Sequence, residues 1–170
     1  MSQSNWHKFF VSMAELASTK SKDRSTKVGA VIVGTSNNVL SIGFNGFPRG
    51  VNDDVEARHE RPAKYMFTEH AERNAIYNAA RHGIRLEGAT LYLNCGGLPC
   101  DDCARAIIQS GITKVVSMNK PFNGAGGIWE EKERVSAEMF KEAGVKVVRL
   151  SAELPYRSGL RAKKLELREE

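Results

Sequence analysis

Four residues have side chains suited to metal and proton chemistry, and they stand in two short clusters. His70 and Glu72 lie in "TEHAERNAIYNAARHG", residues 68–83, and Cys100 and Cys103 lie in "LPCDDCARAII", which begins at Leu98. Two cysteines three apart share one face of a helix and can grip a single ion. At a helix start, the partial positive charge favours the thiolates that zinc requires. His70 completes a three-ligand set. Zinc held by three protein ligands keeps a fourth position for water, the arrangement of catalytic rather than structural sites. Two thiolates and a neutral imidazole leave such a complex near zero charge, and the bound water still loses a proton near neutral pH, helped by a nearby base. Glu72 is two residues from His70, so on a helix the two side chains diverge. That suits Glu72 to moving protons and not to ligation. A structural site would need a fourth ligand. Cys95, His59 and His82 are available, but none has an obvious ligand spacing.

The elements that must position these residues follow from periodicity. Trp6, Phe9, Phe10, Met13, Leu16 and Ala17 recur at helical spacing and predict an opening amphipathic helix. "VGAVIV" (28–33) reads as a buried strand, and "VLSIGFNG" as a second strand pairing with it in a hairpin. "FPRGVNDDVEARHERPAKY" is a long polar connection, of a length that is usually functional or unstructured. A helix follows with Thr68 as its N-cap. "ATLYLN" (89–94) alternates and predicts a strand. Pro99 opens a helix that ends near Gly111. "KVVSM", "WEEKERVSAEMFKEAG" and "VKVVRL" close the chain as strand, helix and strand. Late strands joined through helices favour parallel pairing. The expected fold is α/β: a mixed five-stranded sheet with helices on both faces, over residues 1–150. Residues 151–170 are mixed in sign and read as an exposed helix or frayed end.

The chain has 170 residues, of which 41% are hydrophobic, enough for one compact domain. It contains no run of about 18 apolar residues that would span a membrane. "MSQSNWHKFF" lacks the order of a signal peptide, which predicts a cytoplasmic protein. Three cysteines, two of them as Cys-x-x-Cys, argue there for metal or redox chemistry over disulfides. The net charge of +5 and the pI of about 9.2 allow an anionic partner. A polynucleotide binder should show a basic stripe with stacking aromatics, and the sequence shows neither.

Each cluster is weak evidence alone; together they are specific. "HAE", a strand, and Pro-Cys-x-x-Cys about thirty residues on form the signature of zinc deaminases of nucleobases. The blocks "SKDRSTKVGAVIV", "GFNGFPRGVND", "HAERNAI" and "PCDDCARAIIQSGITKVV" resemble those of the deoxycytidylate (dCMP) deaminases, in the same order. The resemblance spans about residues 12–150 and implies the three-layer α/β/α sandwich of the cytidine deaminase-like superfamily. It implies hydrolysis of dCMP to dUMP and ammonia, with His70, Cys100 and Cys103 on zinc and Glu72 as proton shuttle. Asn74-Ala75-Ile76 after "HAER" resembles the dCMP branch and not the tRNA adenosine or free-cytosine branches. The competing readings are another cytosine nucleotide, such as dCTP or a 5-substituted dCMP, and an editing deaminase on tRNA. A zinc-stapled binding module without catalysis would leave Glu72 unexplained.

The same resemblance gives Asn45 of "GFNG" a contact with the substrate sugar; its alternative role is a left-handed turn residue between glycines. Lys22 and Arg24, with Lys27, precede the first strand and are candidates for the 5′-phosphate, Arg24 above all because its fork fits phosphate oxygens. Family members that carry a second zinc use cysteines near the "GxNG" loop. None stands there in this chain, so one zinc per subunit is expected. The glycine-rich "LYLNCGGLPC" should lie beside the cytosine ring. Phe122 stands where the family often has tyrosine. Hexamers, activation by dCTP, inhibition by dTTP and Mg2+ accompanying an effector nucleotide are further implications. Trp6, Phe9 and Phe10 are expected in the core more than at a subunit interface.

Overall fold

The structure, a computed structural model, describes residues 3–119 and 128–151. The chain runs α1 (Gln3–Ser18), β1 (Gly29–Val33), β2 (Val39–Phe44), a 3-10 turn (Glu56–Arg58), α2 (Lys64–Phe67) and α3 (Ala71–Arg81). It continues through β3 (Thr90–Gly96), α4 (Asp101–Gln109), β4 (Lys114–Met118), α5 (Ile128–Glu142) and β5 (Lys146–Leu150). One five-stranded sheet has the order β2-β1-β3-β4-β5. β1 pairs antiparallel with both β2 and β3, whereas β3–β4 and β4–β5 are parallel. The mixed sheet and the early hairpin are as the sequence predicts. Phe122 and the tail after Ser151 lie outside the described residues.

Two apolar layers hold the sandwich together. On one face Phe10, Val11 and Ala14 of α1 pack on Val31, Val33, Tyr92 and Val116. On the other, the small residues Ala71, Ala75 and Ala79 of α3, with Ala104 and Ile107 of α4 and Phe140 of α5, cover Ile32, Leu91, Leu93 and Val115. β3 sits at the centre and is buried on both faces, with Leu91 and Leu93 to one layer and Tyr92 to the other. The strand expected at "ATLYLN" is thus the central one, covered by helices on both sides. Phe10 is buried and stacks on Trp6, while Phe9 is partly exposed.

Helix-to-sheet contacts are close enough to need glycine. A Cβ on Gly43 would lie 2.4 Å from both the Ala71 carbonyl oxygen and the Ala75 nitrogen. The α3 backbone thus rests directly on β2. Side-chain hydrogen bonds pin it there: Ser41 Oγ donates to the Ala75 carbonyl (2.7 Å), Asn74 Nδ2 to the Phe44 carbonyl (2.7 Å) and Asn78 Nδ2 to the Ile42 carbonyl (2.8 Å).

Candidate active site

His70 is the N-cap of α3 and Cys100 the N-cap of α4. Thr68, two residues earlier than His70, is not the cap. The segment before α3 is instead held as a short bridge, with Gly46 and Glu69 exchanging backbone hydrogen bonds of 3.0 and 2.8 Å. Glu69 Oε1 also accepts from the His70 amide (2.9 Å) and from Arg73 Nε (2.6 Å). The His70 side chain caps nothing. Its ring turns towards the start of α4, where His70 Nδ1 lies 3.4 Å from both Cys100 Sγ and Cys103 Sγ.

These three ligand atoms lie within 4.8 Å of one another. Among the described residues no fourth His, Cys, Asp or Glu joins them. Cys95 borders the cavity, His59 stacks on Phe47, and His82 caps the far end of α3. Zn–S bonds of about 2.3 Å and Zn–N bonds of about 2.0–2.1 Å at tetrahedral angles place N and S roughly 3.6 Å apart. The 3.4 Å spacings fit one such ion.

The protonation of the triad points the same way. Hydrogen bonding from the Cys103 thiol, then from His70, holds Cys100 down at about 4, a thiolate at neutral pH. The Cys103 thiol, which gives that hydrogen bond, is pushed up. His70 is raised to about 9, first by its hydrogen bond to Cys100. The cluster holds positive charge in the form of protons where a divalent cation could replace them.

Glu72 is buried, at 6% exposure, in the first turn of α3. Burial pushes its carboxyl up, against the pull of the neighbouring His70. A buried carboxyl held above its ordinary value is suited to accepting and returning a proton. His70, Glu72 and Cys100 open onto a cavity of about 410 Å³ whose wall also carries Asn45, Asp23, Lys64, Tyr65, Trp129 and Glu133.

Asn45 spends its amide on the loop before β1. Its Oδ1 accepts from the Val28 amide (2.8 Å), and Nδ2 donates to the Thr26 carbonyl (2.8 Å) and towards Asp23 (3.4 Å). Its backbone is not left-handed; among the described non-glycine residues only Asn37 has positive φ. Lys22 and Arg24 border a neighbouring cavity of about 320 Å³ and not the one that holds Glu72. Lys22 pairs with Asp53 at 2.6 Å, and Arg24 pairs with Glu56.

Sequence reasoning passed over Asp23, Lys64, Arg61, Tyr65 and Trp129. Asp23 and Lys64 form a buried ion pair of 2.8 Å that joins the loop after α1 to α2. Trp129 was legible only as one apolar position of α5. No local spacing links it to "HAE", yet its ring centroid stands 6.1 Å from that of His70.

The family model for the cytidine and deoxycytidylate deaminase zinc-binding region matches residues 4–119. An uncharacterized deaminase from the luxG 3′ region of Aliivibrio fischeri is 44% identical over 151 residues, covering 89% of this chain and 97% of its own length. The deoxycytidylate deaminase of Mus musculus is 36% identical over 145 residues, covering 82% of this chain and 76% of its own. The structure of the dCMP deaminase of cyanophage S-TIM5 with dCMP and dUMP superposes with a TM-score of 0.67. It is 27% identical and covers 88% of this chain and 99% of its own.

Proposed function

This chain belongs to the cytidine and deoxycytidylate deaminase zinc-binding family, and we propose that its reaction is the hydrolytic deamination of dCMP to dUMP and ammonia. The observation that supports this most is the joining of two chemistries in one cavity: a His/Cys/Cys set spaced for one zinc, and a buried carboxyl with a raised pKa. His70, Cys100 and Cys103 would hold the ion. Zinc bound there supplies the Lewis acid that activates water for attack on the cytosine ring at C4.

The protein's own share is proton movement and placement. Glu72 takes a proton from the water and delivers it to N3 of the base as oxygen adds to C4. It then takes the remaining proton from the oxygen added at C4, as the C4 carbonyl forms, and gives it to the amino group as the C4–N4 bond breaks and ammonia leaves. His70 caps α3 and Glu72 lies in its first turn, so the three hydrogen bonds between α3 and β2 hold both side chains against the sheet. Asn45, on the cavity wall, is the candidate contact to the sugar, and its amide keeps the Asp23 loop in place. Cytoplasmic location, a hexameric assembly, and dCTP and dTTP control with Mg2+ at the effector belong to the same proposal by family resemblance. Lys22 and Arg24 enter it as candidate phosphate contacts.

The test is product analysis with the zinc-loaded protein on dCMP, dCTP, deoxycytidine, cytidine and a tRNA anticodon stem. The reading predicts dUMP and ammonia, with dCMP the best substrate by kcat/KM. Preferred turnover of dCTP or of the tRNA stem would overturn it.

A further inference from the structure

Two basic side chains, Lys64 and Arg61, border the cavity that holds Glu72. Lys64 is committed. Its Nζ donates to Asp23 at 2.8 Å and to Ser25 Oγ at 2.5 Å, and its side chain is 12% exposed. Arg61 is not committed. Among the described residues no carboxylate pairs with its guanidinium, whose recorded contact is the Tyr65 ring, 5.9 Å from Cζ to centroid. Lys22 and Arg24 are both held by acids and border only the neighbouring cavity. Arg61 borders both cavities.

Arg61 also stands at one end of a row. Tyr65 meets Trp129 edge to face at 6.3 Å, and Trp129 lies tilted over His70 at 6.1 Å. From cation to metal-ligating imidazole, the cavity wall is two aromatic rings in succession. A pyrimidine nucleotide has matching parts: a reacting base, an apolar-faced middle and an anionic end. A nucleotide lying along this wall with its base at His70 would bring its anionic end to Arg61. Guanidinium donors grip phosphate oxygens in pairs.

We propose that Arg61 binds the 5′-phosphate of the substrate, and that Tyr65 and Trp129 form the wall along which the nucleotide lies. This rests on the nucleotide reading above. The closing experiment measures kcat/KM for dCMP and deoxycytidine on zinc-loaded wild type, Arg61→Ala, Arg61→Lys and Arg24→Ala. In parallel, dUMP and deoxyuridine are titrated by Trp129 fluorescence with Trp6→Phe removing the other of the two tryptophans.

Arg61→Ala should lower kcat/KM for dCMP about tenfold to a hundredfold, mainly through KM, as loss of a charge-assisted pair predicts. The dUMP Kd should weaken in step, Arg61→Lys should recover part of the loss, and the loss should be confined to phosphorylated ligands. Equal losses on dCMP and deoxycytidine, an unchanged KM for dCMP, or a larger loss from Arg24→Ala would overturn the assignment. If wild type failed to convert dCMP, the nucleotide reading would fall, and the dUMP titration would still report separately on Arg61.

Discussion

Replacing Lys64 by methionine tests the buried pair that joins the loop after α1 to the cavity wall. Asp23 and Lys64 side chains are 6% and 12% exposed, with oxygen and nitrogen 2.8 Å apart. The carboxylate also accepts from the Ser25 and Thr26 amides at 2.8 and 3.0 Å. Removing one partner of a buried pair costs about 3–5 kcal/mol, because the other charge is left uncompensated. Here the two amides remain and the cavity admits water, so the expected cost is about 3 kcal/mol. For a chain of this length that is a fall in Tm of about 6–12 °C.

The pH dependence has a definite sign. Burial works against the Asp23 charge, but Lys64 and the two amides outweigh it and hold the carboxyl below its ordinary value. The stability it contributes is therefore present above the unfolded carboxylate pKa and is lost as pH falls through the lowered folded value. In Lys64→Met burial prevails, Asp23 protonates at higher pH, and the deficit narrows towards acid. Urea denaturation of both zinc-loaded proteins at about pH 7 and about pH 4.5 measures it. A deficit below about 1 kcal/mol at neutral pH, or one of equal size at both pH values, would refute this reasoning.

Gly43→Ala should press α3 off β2, since the new Cβ would stand 2.4 Å from Ala71 and Ala75 backbone atoms. The expected cost is about 1–3 kcal/mol, and kcat should fall by up to about a hundredfold as His70 and Glu72 shift, read by melting curves and steady-state rates. Asn45→Ala should orphan the Val28 amide and the Thr26 carbonyl, at about 1–3 kcal/mol in urea denaturation.

Much of this was legible because the signals were local. The strand "KVVSM" matches β4 end to end, and the helix and strand around the cysteines fall within a few residues of their expected positions. Thr68 was the wrong cap because Glu69 is drawn into a backbone bridge with Gly46, more than twenty positions away. The long polar connection was opaque for the same reason. Its partners are distant in sequence: Lys64 pairs with Asp23, Lys22 with Asp53 and Arg24 with Glu56. The His70, Cys100 and Cys103 cluster was readable from residue types, whereas the cavity wall beside it, Tyr65 and Trp129, is assembled by packing alone.

Glu72→Gln is the most direct trial of the central claim, with zinc content and kcat on dCMP measured on the same purified samples. One zinc per chain is expected in wild type and variant alike, with kcat lower by about 10²–10⁴-fold in the variant. Fully active wild type without zinc, or a variant that turns over at a near-normal rate, would contradict it.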